Sequence, residues 1–384
     1  MQIGLDATAL SKIENGRRSV KSVELAKIAQ ALHVSPLAIL EPDSLVGRLP
    51  IAARRAGSTV EVGAAYDRLV ALTELHVVLA ENGIHNSPRL SAIPSVVGLS
   101  WLEAADVLAE WAIRELPVTE EAEGRFAALV NQIEDKLAID VVVEPFADDP
   151  LSGAAITDLN FPVLFVNSIH PLPRSLFTLA HELGHVLARH NCGTITLDRE
   201  LSGSTDEERT ANAFAANFLM PKEFVLSAIE EHGRRHQTLV LLASKLGVSF
   251  ESLIYRLHNL REIDARGRDQ LMKVNWRQFV IGLSDPNLAG GLTSTEVATF
   301  QARYVTPPPT TRPAMLIRRA TAGLRKGVIG AQALGKLVGT EAEQVLADFA
   351  NDTDIQHDLD LIDTPAYGPF SDEDDVERFA GRPF

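Results

Sequence analysis

Apolar residues recur at helical spacing over most of the chain. This pattern predicts helices in four stretches, residues 58–115, 122–137, 239–260 and 313–350. The first stretch is interrupted by the turn signals Asn82-Gly83 and Ser87-Pro88. Shorter apolar runs predict three strands, at residues 139–144, 153–157 and 161–167, the last two of which form a hairpin. The chain is therefore expected to be an α+β protein that is predominantly helical, with one small sheet.

One predicted helix, around residues 176–187, carries polar side chains within an otherwise apolar stretch. Successive helical residues are about 100° apart, so His181 and His185 lie on one face and Glu182 lies just beside it. Burying such groups is costly unless something satisfies them. A metal ion would do so, and His-Glu-x-x-His on a helix is the pattern of zinc peptidases. Gly184 weakens a helix interior, which suggests that another element packs closely against it.

A second helix is predicted from about residue 206 to residue 220. Thr205 or Asp206 is its expected N-cap, acidic residues occupy its first turn, and Pro221 ends it. Glu208 and Asn212 lie one turn apart on this helix. Their spacing would allow one of them to bind a metal and the other to hydrogen-bond an imidazole that also binds it.

A catalytic zinc site usually has three protein ligands, so His181 and His185 require a third. His190 would face away from them unless the helix breaks, and we expect it to interact with the last carbonyls of the helix. Glu208 follows after enough residues for a loop and a returning antiparallel helix. We therefore favour Glu208 as the third ligand, with Glu207 as its alternative.

With these residues the chain resembles the ImmA/IrrE family of bacterial metallopeptidases, over about residues 119–262. The family motif Phe-x-x-Ala-His-Glu-x-Gly-His matches Phe177 to His185, and a second motif matches Glu208 to Pro221, with Phe218 where Leu is usual. The resemblance implies a zincin-like catalytic domain. It also implies Zn²⁺ held by His181, His185 and Glu208, with Glu182 as the catalytic base.

The strand that begins near Pro162 is expected at a strand start or a sheet edge, because proline has no backbone N–H. An edge beside a metal site would accept an extended peptide as a further strand, although a hairpin that only covers the helix is equally compatible. No residue is singled out as the oxyanion donor. Tyr255, His232 and His258 are polar enough, but no spacing rule selects among them.

The N-terminus resembles the later part of an XRE-type helix-turn-helix, in residues 10–36. Lys12, Arg17 and Arg18 are its candidate DNA-binding residues, and Gly16 fits a helix C-cap. Too few residues precede this stretch for the first helices of such a domain, and its net positive charge is small. We therefore expect a truncated module with weak DNA binding of its own.

Composition narrows the class of protein further. The chain has 384 residues, a formal net charge of −15 and a single cysteine, Cys192. The acidic balance argues against a surface that coats nucleic acid, and one cysteine excludes a disulfide framework. Without a signal peptide or an apolar run of about 18 residues, a cytoplasmic protein with no membrane partner is expected.

These patterns predict five regions. They are a partial helix-turn-helix (1–42), a helical connector (43–118), the metallopeptidase domain (119–265), a C-terminal helical region (266–350) and an acidic, disordered tail (351–384). The function expected from the resemblance is zinc-dependent cleavage of a regulatory protein, an XRE-type repressor, in a stress or DNA-damage response. The alternative is a metal-stabilised regulator that binds DNA or a protein partner without hydrolysing anything.

Overall fold

The computed structural model describes residues 64–117, 124–146, 151–157, 160–190, 195–198, 205–274 and 305–351, with isolated positions 12–13, 17–21, 24–25, 27–28 and 302. The acidic tail beyond residue 351, Cys192 and most of the helix-turn-helix region lie outside the described residues. The chain divides into two compact units, residues 1–320 and 321–384. The five regions expected from the sequence stay a prediction.

Helices dominate the described residues, and the fold is of the α+β class with a zincin-like arrangement. Before the sheet lie α1 (Ala64–Glu81), α2 (Trp101–Glu115) and α3 (Arg125–Gln132), which continues as a π-helical turn (Ile133–Leu137). The remaining helices are α4 (Leu172–Leu187), α5 (Asp206–Leu219), α6 (Lys222–His232), α7 (His236–Leu246), α8 (Phe250–Asn259), α9 (Ala265–Leu271), α10 (Ala314–Arg325), α11 (Ala331–Val338) and α12 (Ala342–Asn351). Within the described ranges, no single helix is long and apolar enough to cross a membrane, although the bent pair α7 and α8 together reaches that length.

The four strands found in the described ranges form one sheet in the order β1-β3-β2-β4. They are β1 (Asp140–Glu144), β2 (Gly153–Ile156), β3 (Val163–Asn167) and β4 (Ile195–Asp198). The predicted hairpin is confirmed, because β2 pairs antiparallel with β3. Parallel pairing of β1 on the other side makes β3 a central strand. Pro162 therefore marks a strand start, and the alternative that its strand is a sheet edge was wrong.

The described edge strands are instead β1 and β4. We did not predict β4, whose four residues follow the metal-motif helix and pair antiparallel with β2. A strand this short leaves only a weak alternating signal in the sequence. The outer side of β1 is partly covered, since Val143 forms a bridge with Thr311.

The core is built around α4, which packs on β2 and β3 and also against α5. Its residues Leu179, Ala180 and Leu183 are fully buried. Helix α2 packs against α5 and contributes to the same hydrophobic cluster through Ala105, Leu108 and other buried residues. The helix that we expected to be part of a connector thus packs directly against the element that carries Glu208.

A buried polar network joins three segments that are distant in the sequence. Arg319 of α10 donates a hydrogen bond to Asp140 at the start of β1, and His76 Nε2 of α1 lies 3.3 Å from the same carboxylate. The ring of Phe161 stacks on His76 at 5.3 Å. Burial and the nearby Arg319 lower the pKa of His76 to about 3, so it is neutral near pH 7. Removing one member of such a buried set typically costs about 3–5 kcal/mol.

The burial of Glu134 in the π-helical turn makes the free energy of unfolding depend on pH. Its Oε1 accepts a hydrogen bond from the Val141 backbone N–H at 3.2 Å, and burial raises its pKa from 4.5 to about 7. The unfolded chain releases this proton at lower pH than the folded chain. The Glu134 contribution to stability is therefore fully present below pH 4.5 and is lost as the pH rises to about 7, by on the order of 3 kcal/mol.

Glu134→Gln keeps the acceptor and removes the titration, so the variant should gain stability over wild type between pH 5 and pH 8. Urea unfolding of both proteins at each pH measures this difference. His76 titrates in both proteins, so its effect cancels. The difference between their free energies of unfolding therefore reports the titration of Glu134. Equal changes in the free energy of unfolding for the two proteins would contradict the prediction.

Candidate metal centre

Helix α4 holds three polar residues of the sequence motif inside the core. Pro173 in its first turn is compatible with a helix start, where a backbone N–H is not required. His181, Glu182 and His185 are each 0% exposed. Three such groups in an apolar helix are stable only where their neighbours satisfy them.

The structure brings His181 and His185 together with Glu208 of α5. The Nε2 atoms of the two histidines lie 3.1 Å apart. Glu208 Oε2 lies 3.3 Å from His181 Nε2, and Glu208 Oε1 lies 3.5 Å from His185 Nε2. Within the described residues, these three side chains are the group of His, Cys, Asp and Glu that could hold a metal ion, with ligand atoms all within 4.8 Å of one another.

These separations fit a zinc ion. Ligand atoms of a tetrahedral site with bonds of about 2.0–2.1 Å lie about 3.3 Å apart, close to the three distances above. Two imidazole nitrogens and a carboxylate oxygen are also a donor set that zinc uses in catalytic sites. Glu207, the alternative third ligand, is exposed and lies outside this group.

The N-terminal turn of α5 fixes the position of Glu208. Of the two predicted caps, Thr205 is the one used, and its Oγ1 accepts a hydrogen bond from the Glu208 backbone N–H at 3.3 Å. Burial opposes ionisation of the Glu208 carboxyl, but hydrogen bonds with His181 and His185 hold its pKa well below the usual value. The carboxyl is therefore ionised at neutral pH, as a metal ligand must be.

Both imidazoles are oriented through their Nδ1 atoms. His181 Nδ1 lies 3.1 Å from Asn212 Oδ1, which can only accept, so Asn212 holds a proton on Nδ1 and makes Nε2, which faces Glu208, the atom that would bind a metal ion. His185 Nδ1 lies 3.1 Å from His190 Nδ1. Hydrogen bonds of this kind fix the ring orientation and tautomer of a metal-binding histidine.

The position of His190 differs from our expectation. Helix α4 ends at Leu187, and Arg189 takes a left-handed conformation with φ of 56°. At this turn the His190 backbone N–H donates to the His185 carbonyl oxygen at 3.0 Å, which agrees with a residue that ends the helix. Its ring, however, lies against the His185 ring and not on the last carbonyls. Burial, followed by the proximity of His185, lowers the pKa of His190 to about 4, so the ring is neutral at pH 7. From its spacing, His190 could approach the other two histidines only if the helix ended before it, and α4 does end at Leu187.

Glu182 lies against β2, in space that Gly153 leaves open. A Cβ atom at Gly153 would lie 2.4 Å from Thr178 Cγ2 and 2.9 Å from Glu182 Oε1. Both carboxylate oxygens of Glu182 are shielded from solvent. A side chain at position 153 would therefore have to displace the side chains of Thr178 and Glu182 on α4.

The other residues singled out in the sequence have different surroundings. Tyr255 lines a cavity that Asn212 also lines, whereas His232 is exposed beside Glu231 and His258 Nδ1 lies 3.2 Å from the Ile263 carbonyl oxygen. Of these three candidate oxyanion donors, only Tyr255 lies on that cavity.

The three candidate DNA-binding residues, Lys12, Arg17 and Arg18, are among the described residues. Lys12 and Arg17 are exposed. Arg18 is paired with Glu24 at 2.6 Å, so its guanidinium is engaged within its own module. DNA contact by these three residues stays a prediction.

Comparisons with known proteins match two parts of the chain to family models. Residues 134–258 match the M78 peptidase family model, described as the IrrE N-terminal-like domain. Residues 1–39 match a helix-turn-helix family model of the XRE type. A comparison with curated proteins found no significant match. The chain thus carries a metallopeptidase-family domain that includes α4, α5 and all three residues of the candidate metal group.

The close packing of α4 against α5 generates a prediction. A Cβ atom at Gly184 would lie 2.9 Å from Phe214 Cδ1 and 3.2 Å from the Ala211 Cα atom. Gly184→Ala should therefore push the two helices apart and misplace Glu208 relative to both histidines. We expect metal affinity to fall about 10-fold or more, as when residues that support metal ligands are lost.

Competition with a chelator measures this affinity. Gly330→Ala, in open space, is the matched control and should leave it unchanged. Adding Phe214→Leu to the Gly184→Ala variant makes room and should restore part of the lost affinity. Full metal affinity in the Gly184→Ala variant would show that the helix spacing does not set the site.

Proposed function

We propose that this chain is a zinc-dependent endopeptidase that cleaves a regulatory protein, an XRE-type transcriptional repressor, in a stress or DNA-damage response. The observation that carries the proposal is the group of His181, His185 and Glu208, with the buried carboxylate of Glu182 on the same helix. The match to a peptidase family over residues 134–258 supports the reaction class. The XRE-type match over residues 1–39 supports a regulatory setting.

A catalytic zinc site usually has three protein ligands, and its fourth position stays open for water or substrate. His181, His185 and Glu208 would hold the ion, and Asn212 and His190 would keep the two imidazoles oriented. A zinc ion bound there would polarise both a water molecule and the scissile carbonyl group.

Glu182 would carry the proton transfers. As a general base, its carboxylate takes a proton from the water that attacks the peptide carbonyl carbon. The same group then donates that proton to the amide nitrogen as the C–N bond breaks, which leaves a free carboxylic acid and a free amine. Gly153 supports this role, because it leaves room for the carboxylate between α4 and β2.

The rival function is a metal-stabilised regulator that binds DNA or a protein without hydrolysis. Glu182 favours the enzyme, because a purely structural metal site has no use for a buried carboxylate that is not a ligand. Arg18 is engaged by Glu24, and Lys12, Arg17, Lys21 and Lys27 are exposed basic residues of the N-terminal module. For a protein that acts on a transcriptional repressor, a cytoplasmic location is the natural setting.

The ligand assignment predicts about one zinc ion per purified chain. His181→Ala and Glu208→Ala should lose it, because each removes one of three ligands. Glu207→Ala is the matched control on the neighbouring acidic residue and should keep full zinc content by elemental analysis. If Glu207→Ala lost zinc while Glu208→Ala retained it, the third ligand would be wrongly assigned.

The base assignment predicts that Glu182→Gln folds and binds zinc normally but does not cleave. Glutamine keeps the size of the side chain and removes the base, so cleavage should fall by at least about 100-fold. The assay is co-expression with XRE-type repressors encoded nearby, followed by immunoblotting for repressor fragments. Glu207→Gln is the control and should cleave like wild type. Relief of repression with an intact repressor, equal in wild type and Glu182→Gln, would replace hydrolysis with the binding-only function.

A further inference from the structure

A cavity of about 640 Å³ opens beside the metal centre, between the start of α2, the first half of α4 and helices α5 and α8. We call it the Trp101 cleft, after the residue that begins α2. Its apolar walls are formed mainly by Trp101, Phe177, Ala213, Ala216, Met220 and Tyr255. The space exists largely because two of the α5 residues that face it are alanines.

The Trp101 cleft adjoins the metal centre through Asn212, which lies on the Nδ1 side of the His181 ring. This residue lines the cleft and also hydrogen-bonds His181. It lies four residues, about 6 Å along the helix axis, beyond Glu208. An extended peptide advances about 3.3 Å per residue. A substrate whose scissile bond lies at the metal centre would therefore place a side chain in the cleft within about two residues of that bond.

The lining of the cleft selects a large apolar side chain. Trp101 is 37% exposed and Tyr255 is 51% exposed, so two aromatic rings at the rim still contact water. Their burial by a ligand would contribute binding energy, as aromatic residues commonly do in recognition sites. A cleft of this volume accommodates a leucine, methionine or phenylalanine side chain with part of the adjoining backbone.

The charges around the cleft favour an acidic neighbour. Arg174, Arg209 and Arg256 line it, opposed by Glu251. Arg256 donates to the Met220 carbonyl oxygen and to Asn217. Arg174 and Arg209 are exposed at the rim, where Arg209 is paired with Asp206 at 3.1 Å and Arg174 donates to Ser152 Oγ at 2.9 Å. Because the partner of Arg174 is an uncharged hydroxyl group, the positive charge of this guanidinium is not neutralised by that contact. This charge is complementary to a carboxylate on the ligand.

We propose that the Trp101 cleft is the substrate-selecting site, and that it binds a large apolar residue with an acidic neighbour, within about two residues of the scissile bond. This inference rests on the proposed peptidase function. The enzyme would recognise such a segment in the regulatory protein that it cleaves.

Binding of defined peptides tests the inference without requiring hydrolysis. Acetyl-Leu-Glu-amide, acetyl-Gly-Glu-amide and acetyl-Leu-Lys-amide are titrated into the full-length, zinc-loaded Glu182→Gln protein by calorimetry. We expect the Leu-Glu peptide to bind about tenfold or more tightly than the Gly-Glu peptide, the advantage of burying one leucine side chain. It should bind about threefold or more tightly than the Leu-Lys peptide, because exposed charge pairs contribute less.

Variants locate the binding to the cleft. Ala216→Trp fills the cleft and should abolish the advantage of leucine over glycine, whereas Ser227→Trp, on an exposed position of α6, should preserve it. Trp101→Ala changes only a rim residue and should weaken Leu-Glu binding even if Ala216→Trp fails to fold. Equal affinities for the three peptides, or a leucine advantage that survives both cleft variants, would overturn the inference.

Cleavage of a peptide mixture by the wild-type holoenzyme, analysed by mass spectrometry, separates this inference from the proposed function. Bonds cut by wild type but not by Glu182→Gln should have large apolar residues enriched at one fixed nearby position. Selective binding without any Glu182-dependent cleavage would reject the peptidase and keep the cleft as a recognition site. Glu182-dependent cleavage without an apolar preference would keep the peptidase and reject the cleft as its substrate-selecting site.

Discussion

The metal centre depends on how closely α4 approaches α5. Two ligands lie on α4 and the third lies on α5, so the spacing of the helices sets the distances between the ligand atoms. Gly184 allows this approach, because any side chain there would meet Phe214 and the Ala211 backbone. The glycine lowers the intrinsic stability of α4 by roughly 1 kcal/mol relative to alanine. Close packing of the buried Phe214 and Ala211 offsets that cost.

The rest of the fold keeps this helix pair in place. The sheet supports one side of α4, with Gly153 of β2 against Glu182, and α2 packs on α5. At the far end of the sheet, the buried network of His76, Asp140 and Arg319 ties β1 to α1 and α10. Residues far from the metal centre in sequence therefore contribute to its geometry.

The sequence predicted those parts of the structure that depend on local patterns. Helical spacing located α4 and α5, and short apolar runs located β1 to β3. The expected antiparallel return of α5 favoured Glu208 and Asn212. The contacts that it missed depend on the folded chain. The left-handed turn at Arg189 brings His190 to His185, and no residue type in that segment demands such a conformation. Likewise, the packing of α2 on α5 and the pairing of Asp140 with Arg319 join residues whose sequence separation hides their proximity.

Anomalous scattering at the zinc absorption edge, from crystals of the wild-type chain grown with zinc, tests the central claim most directly. We expect one strong peak per chain, within about 2.0–2.1 Å of His181 Nε2, His185 Nε2 and a carboxylate oxygen of Glu208. A principal peak coordinated by His190, or one away from α4 and α5 altogether, would contradict the account.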